Sequence, residues 1–258
     1  MKNKVITMTD SNYFKYGTKL LQTRHIVDAD FVCYGPDLED DQIETLYKNN
    51  IIHKKINQDI WDKWMQSLKF QFIMDEIDET GGGITFVDWD TYFLKDWAEI
   101  FYRAKWDFGI TVRQNLIDSG KTHRAWANGG VIFARNNYSA VVLCGTALNI
   151  IERGGIDITK PFRILPQYDK IWKTLEEGRK PEKTHYRTDK RWWCDQVFLS
   201  ALIMACKHNQ LKFENDINCR FKFFDCKQYN NMWEETPDTY IMHLKDKSGA
   251  PGNLKDGK

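Results

Sequence analysis

The sequence predicts an α/β fold with a mixed, mostly parallel central sheet flanked by helices, and three observations carry that prediction. Short apolar strands alternate with helical segments through the first half of the chain. Apolar stretches stay well short of the roughly 18–20 residues that a membrane span needs. Two carboxylates, Asp88 and Asp90, follow directly on one apolar strand, at the carboxyl end where open α/β sheets bind their ligands.

The elements follow in order. Val5–Met8 is apolar and bounded by Asp10 and Ser11, so it reads as a first strand, and a helix is expected over about Tyr13–Thr23. Asp30–Tyr34 is a second strand, closed by Gly35-Pro36; Leu38–Asn49 reads as a helix and Ile51–Ile56 as a third strand. From about Asp59 to Asp78, Trp61, Trp64, Met65, Leu68, Phe72 and Ile73 recur at three-to-four spacing, the period of a helix with one apolar face. Its acidic end, Asp75–Glu79, reads as solvated. Gly81-Gly82-Gly83 ends that helix and releases a strand over Ile84–Asp88. Further strands are expected at Phe108–Arg113 and Gly130–Ala134, and helices at Ser139–Arg153 and Cys194–Lys207. Short strands are expected at Leu211–Phe213, Phe221–Phe224 and Thr239–His243. The more irregular second half suggests an added lobe on a single catalytic domain spanning 1–245, with 246–258 a polar, glycine-containing flexible tail.

Composition removes some functions. The 37 basic residues nearly match the 36 acidic ones, so the chain lacks the basic excess of a general nucleic-acid binder. Six cysteines contain no C-x-x-C pair, and the opening MKNKVITMTD runs into a strand pattern without a signal-peptide core. Reduced thiols and a cytoplasmic location are the expectation.

Four segments carry chemistry. In Phe86-Val87-Asp88-Trp89-Asp90, alternate residues of an extended chain face the same way, so Asp88 and Asp90 can converge on one hard divalent cation, Mn²⁺ or Mg²⁺. His243 follows a short apolar stretch and offers an imidazole as third ligand, with Lys245 and Lys247 close enough in sequence to neutralise a diphosphate. Asn128-Gly129-Gly130 lets the backbone approach a ligand closely and adds an amide for hydroxyls, although the same tripeptide also suits a tight turn. Asp195 and Gln196 follow Trp192-Trp193 at the start of an apolar helix; a carboxylate and an amide there suit a sugar ring, and the Asp alone also suits a helix cap.

Together these residues resemble the GT-A glycosyltransferase superfamily, in particular its glycogenin-like and lipopolysaccharide-galactosyltransferase-like branch. The resemblance spans Val5 to about Gly249. It implies that Thr7, Thr9, Asp10 and Tyr13 hold the nucleotide, with the tyrosine stacked on the base. It further implies that Asp88 and Asp90 chelate Mn²⁺, with Trp89 between them in the nucleotide-binding segment. Asn128, Gly129 and Gly130 would line the donor sugar, Asp195 and Gln196 would lie near the anomeric carbon, and His243 would complete the metal shell. The family's glycine and lysine, three and six residues after that histidine, are replaced here by Asp246 and Gly249, so Lys245 or Lys247 would take the diphosphate. The implied activity is transfer of a hexose from a UDP-sugar, with retention, to a glycan, lipid-linked, protein or small-molecule acceptor, whose contacts are expected within Asp157–Arg191.

Two rivals bear on the same residues. An aspartate-based phosphatase would carry Thr or Val two residues after its second Asp, where this chain has Tyr92. A lectin-like or nucleotide-sugar-binding module would keep the Trp and Asn contacts but has no use for two carboxylates, a histidine and lysines converging on a metal.

Overall fold

A computed structural model describes residues 2–78, 82–102, 104–118, 126–154, 194–207 and 219–244. The chain opens with β1 (Asn3–Met8), a short 3-10 turn at Phe14–Gly17 and α1 (Thr18–Thr23). The helix expected from Tyr13 is thus split. Asp10 accepts the Tyr13 N–H at 2.7 Å, an Asx-type turn that starts the segment tightly, and Gly17 packs directly beneath the Trp89 indole.

β2 (Ala29–Gly35), α2 (Asp40–Lys48), β3 (Ile51–Lys55) and α3 (Gln58–Asp75) follow close to expectation. Glu39 and Gln42 form a reciprocal capping box on α2, and the Asn57 side chain accepts from the N–H groups of Asp59 and Ile60 to start α3. Asn50, with φ of 51°, takes the left-handed conformation that turns the end of α2 into β3. The acidic end of α3 differs from expectation. Glu76 is only 4% exposed, takes a hydrogen bond from Tyr34 Oη at 2.6 Å, and pairs with Lys4 and Lys54. The helix end is therefore pinned to β1, β2 and β3 instead of being solvated.

The remaining elements are β4 (Gly83–Val87), β5 (Thr91–Phe93), β6 (Phe108–Val112), α4 (Gln114–Asp118), β7 (Ala127–Arg135), α5 (Tyr138–Gly154), α6 (Cys194–Lys207), β8 (Phe221–Asp225), α7 (Cys226–Tyr229) and β9 (Ile241–His243). β5, α4 and α7 are too short to leave a periodic signal. The expected strand at Leu211–Phe213, the segment Asp157–Arg191, Trp192-Trp193 and the tail 246–258 lie outside the described residues.

Seven strands form one sheet in the order β3-β2-β1-β4-β7-β6-β8. Its pairs are parallel except where β7 meets β4 and β6. Side chains alternate across it: Val131 and Phe133 of β7 enter one core with Leu20, Leu46, Trp97 and Phe224, while Ile132 and Ala134 enter the other with Phe70, Phe72, Leu143 and Phe198. α3, α5 and α6 therefore cover one face, and α1 and α2 the other. Among the described residues no helix is long and apolar enough to cross a membrane.

β5 and β9 form a separate antiparallel pair. Thr91 stands opposite His243 in that pair, which brings His243 beside the residues that follow β4.

Gly17 ties this scaffold to the loop after β4. A Cβ there would lie 2.0 Å from Trp89 Cε2, inside the ring. Gly17→Ala is expected to lower the stability of the chain by about 1–3 kcal/mol, the usual cost of overpacking, measured as a lower urea midpoint with an unchanged slope.

Candidate active site

β4 ends at Val87, and the next three residues turn sharply. The Asp88 carbonyl accepts from Thr91 N at 3.2 Å and Thr91 Oγ1 at 2.9 Å, while Asp88 N donates to Gly130 O of β7 at 2.8 Å. Trp89 anchors the turn from below. It is 1% exposed, its Nε1–H donates to Phe14 O at 2.7 Å, and its ring lies 5.2 Å from that of Phe14. The indole thus faces the core, not a ligand, and any nucleotide contact from Trp89 is left to its backbone.

With Trp89 turned down, Asp88 and Asp90 face up on the same side. β9 then delivers His243: Leu244 N donates to Asp90 O at 2.8 Å, and His243 Nε2 lies 3.2 Å from Asp90 Oδ1 and 3.8 Å from Asp88 Oδ2. One ligand atom from each of these three residues falls within 4.8 Å of the others. Two carboxylates and an imidazole are a hard, mixed O/N donor set that fits Mn²⁺ or Mg²⁺. Gly130 leaves the room. A Cβ on it would lie 2.8 Å from Asp88 Oδ2 and 2.7 Å from His243 Cε1.

Asn128-Gly129-Gly130 lies inside β7, not in a turn. Asn128 is buried, and its Oδ1 accepts from Gly130 N at 3.2 Å. Gly129 makes room for a second charged group, since its Cβ would meet Asp195 Oδ2 at 2.3 Å. That carboxylate takes a 2.7 Å bond from Lys69 Nζ, which also donates to Gly129 O at 3.0 Å and lies 4.0 Å from Asp88 Oδ1. Lys69 and Asp195 are both buried. Asp195, inside the first turn of α6, accordingly pairs with a lysine of α3 on the same face of the sheet. Its Oδ1 and the Gln196 Oε1 are buried without a hydrogen-bond partner among the described residues, as is Thr7 Oγ1.

The nucleotide residues expected from sequence follow β1. Thr7 and Thr9 are buried, and Thr9 Oγ1 donates to Asp10 O at 3.1 Å. Tyr13 Oη donates to Asp90 Oδ2 at 2.5 Å. The segment meant for the base therefore touches a candidate metal ligand. Lys245 and Lys247 lie outside the described residues.

Charge crowding sets the protonation of the cluster. Burial pushes Asp88 up, and Asp90 and Asp195 add to that against the opposing Lys69 and His243. Burial acts the same way on Asp90, but His243 and the Tyr13 hydroxyl outweigh it and hold Asp90 below the usual carboxylate range. Burial alone would lower His243, yet Asp90 and Asp88 prevail and raise it.

Sequence reasoning missed Lys69 and Asn230. Lys69 did leave a signal, because it sits at helical spacing from Met65, Phe72 and Ile73 on the apolar face of α3, where a lysine needs a partner. Asn230, whose Oδ1 lies 2.9 Å from His243 Nδ1, left none.

The family model for nucleotide-diphospho-sugar transferases matches residues 61–153, the stretch that holds Lys69, Asp88, Asp90 and Gly130. A search of curated proteins finds no match. Mouse xyloside xylosyltransferase 1, in its apo form, superposes with a TM-score of 0.50 at 12% identity, over 95% of this chain and 98% of that one. The galactosyltransferase LgtC, in complex with donor and acceptor sugar analogs, superposes with a TM-score of 0.50 at 10% identity, over 94% and 87%. The chain has the GT-A fold of nucleotide-sugar glycosyltransferases, as the sequence resemblance implied.

Two outcomes follow from the crowding. Gly130→Ala should abolish Mn²⁺ binding, read by calorimetry, while leaving a cooperative unfolding transition. In the unsubstituted chain, Mn²⁺ must displace protons from groups whose values are raised. Its affinity should therefore increase as pH rises above the ordinary histidine value of about 6.5, with net proton release seen as a buffer-dependent binding enthalpy.

Proposed function

We propose that the chain is a metal-dependent glycosyltransferase that moves a hexose from a UDP-sugar to an acceptor with retention of configuration. The observation that carries this reading is the convergence of Asp88, Asp90 and His243 beside the buried Lys69–Asp195 pair. Asp88, Asp90 and His243 would hold the cation. A divalent ion there supplies positive charge to the β-phosphate as the diphosphate leaves.

The chain's own residues do the rest. Thr7, Thr9, Asp10 and Tyr13 stand at the carboxyl end of β1 and its loop, the place for the nucleoside in an open α/β sheet. Lys245 or Lys247, following His243 closely, would add charge to the diphosphate. Lys69 holds Asp195 Oδ2 at 2.7 Å in a buried setting, and Asp195 Oδ1 has no hydrogen-bond partner among the described residues. That oxygen and Gln196 Oε1, both unpartnered among the described residues, would take sugar hydroxyls and face developing positive charge at the anomeric carbon. Retention and the uracil and hexose preferences rest on the family resemblance, and the acceptor class stays open among glycan, lipid-linked, protein and small-molecule acceptors.

Calorimetric titration of UDP with and without Mn²⁺ tests the reading. Binding should require the metal, and Asp90→Asn should weaken it beyond the ~10–100-fold typical of outer-shell substitutions. UDP-hexose with Mn²⁺ should then release UDP slowly even without acceptor. UDP that binds equally well without metal would turn the chain into a binding module and overturn the proposal.

A further inference from the structure

Beyond the three candidate ligands, we propose that Asn230 is a positioning residue that fixes His243 as the Nδ1–H imidazole, so that its Nε2 lone pair faces Asp88 and Asp90. The inference deepens the metal reading above and rests on it for its consequence, but the proton bookkeeping stands alone.

Thr111 of β6 places its Oγ1 2.7 Å from Asn128 O and 3.0 Å from Val131 O, both on β7. Carbonyl oxygens only accept, so the single hydroxyl proton goes to one of them and the lone pairs of Oγ1 are left for a donor. Asn230 stands on that side. One end of its amide lies 3.2 Å from Thr111 Oγ1 and 3.4 Å from Asn128 O. Were that end the oxygen, it would face Asn128 O with no proton between them, and the Thr111 hydroxyl proton would have to leave both β7 carbonyls to meet it. It is therefore the NH₂ group, and the amide oxygen points the other way, 2.9 Å from His243 Nδ1.

Oδ1 can only accept, so Nδ1 carries a proton. Nε2 is then the nitrogen left to bind, and it is the one 3.2 Å from Asp90 Oδ1 and 3.8 Å from Asp88 Oδ2. A lone pair aimed at two carboxylates completes a three-atom donor set that a cation can fill. Asn230 is fully buried, so water does not compete for this relay. The sheet thus transmits the fixed polarity of the β7 carbonyls, through Thr111 and Asn230, to the one ring nitrogen that can ligate.

Long-range proton–nitrogen NMR on the metal-free chain, at a pH alkaline enough to keep the imidazole neutral, reads the tautomer directly. The Nδ1–H form is expected for His243. Asn230→Leu should let the ring populate the Nε2–H form and lower Mn²⁺ affinity about 10–100-fold. Asn230→Asp, which keeps an acceptor facing Nδ1, should retain the Nδ1–H form. An Nε2–H form in the unsubstituted chain overturns the inference without needing any variant to fold. So does an Asn230→Leu chain with unchanged tautomer and unchanged Mn²⁺ affinity. A chain that shows the Nδ1–H form yet binds no Mn²⁺ supports the Asn230 relay and sinks the metal reading instead.

Discussion

The pairing of β5 with β9 is the constraint on which the candidate site depends. Each strand is three residues long, and the register sets Thr91 opposite His243. Without that pairing, Asp88 and Asp90 would be two carboxylates at a strand end, a common and uninformative arrangement. With it, an imidazole from near the end of the chain lies 3.2 Å from Asp90. The pair is short, and the flanking bonds Leu244 N to Asp90 O and His243 N to Asn231 O extend its hold on the backbone.

Charge explains why the cluster takes the form it does. Among the described residues, three carboxylates, Asp88, Asp90 and Asp195, share the region with one lysine and one histidine. Lys69 is committed to Asp195 at 2.7 Å and stands 4.0 Å from Asp88, so the Asp88–Asp90 end is left short of positive charge. Burial by itself would lower His243, and the two neighbouring carboxylates, Asp90 and Asp88, outweigh it and raise it. A divalent cation bound there, as proposed, would relieve the crowding. The glycines serve the same end: Gly129 and Gly130 are where β7 passes so close to Asp195, Asp88 and His243 that any side chain would collide.

Much of this was legible in the sequence. The strands at Val5–Met8, Asp30–Tyr34 and Ile51–Ile56 and the long helix after Asp59 were readable because each repeats one period over enough residues to be distinctive. The Asp88/Asp90/His243 grouping was readable because a strand alternates its faces and a late histidine completes a familiar donor set. Three features were not. Trp89 looked like a ligand contact from its place between two aspartates, but the same alternation that lifts the carboxylates sends the indole into the core beneath Gly17. Glu76 looked solvated within an acidic run, yet Tyr34, Lys4 and Lys54 come from three different strands to meet it. Asn230 acts through contacts with Thr111 and Asn128, both about a hundred residues away, and no local pattern encodes such a meeting.

The account stands or falls on the cation. Crystals grown with Mn²⁺ and UDP, measured at a wavelength where manganese scatters anomalously, locate it directly. The account predicts an anomalous peak bounded by Asp88, Asp90 and His243, with the diphosphate against its open side. UDP bound at the end of β1 with no such peak, or with the peak at other residues, would contradict it.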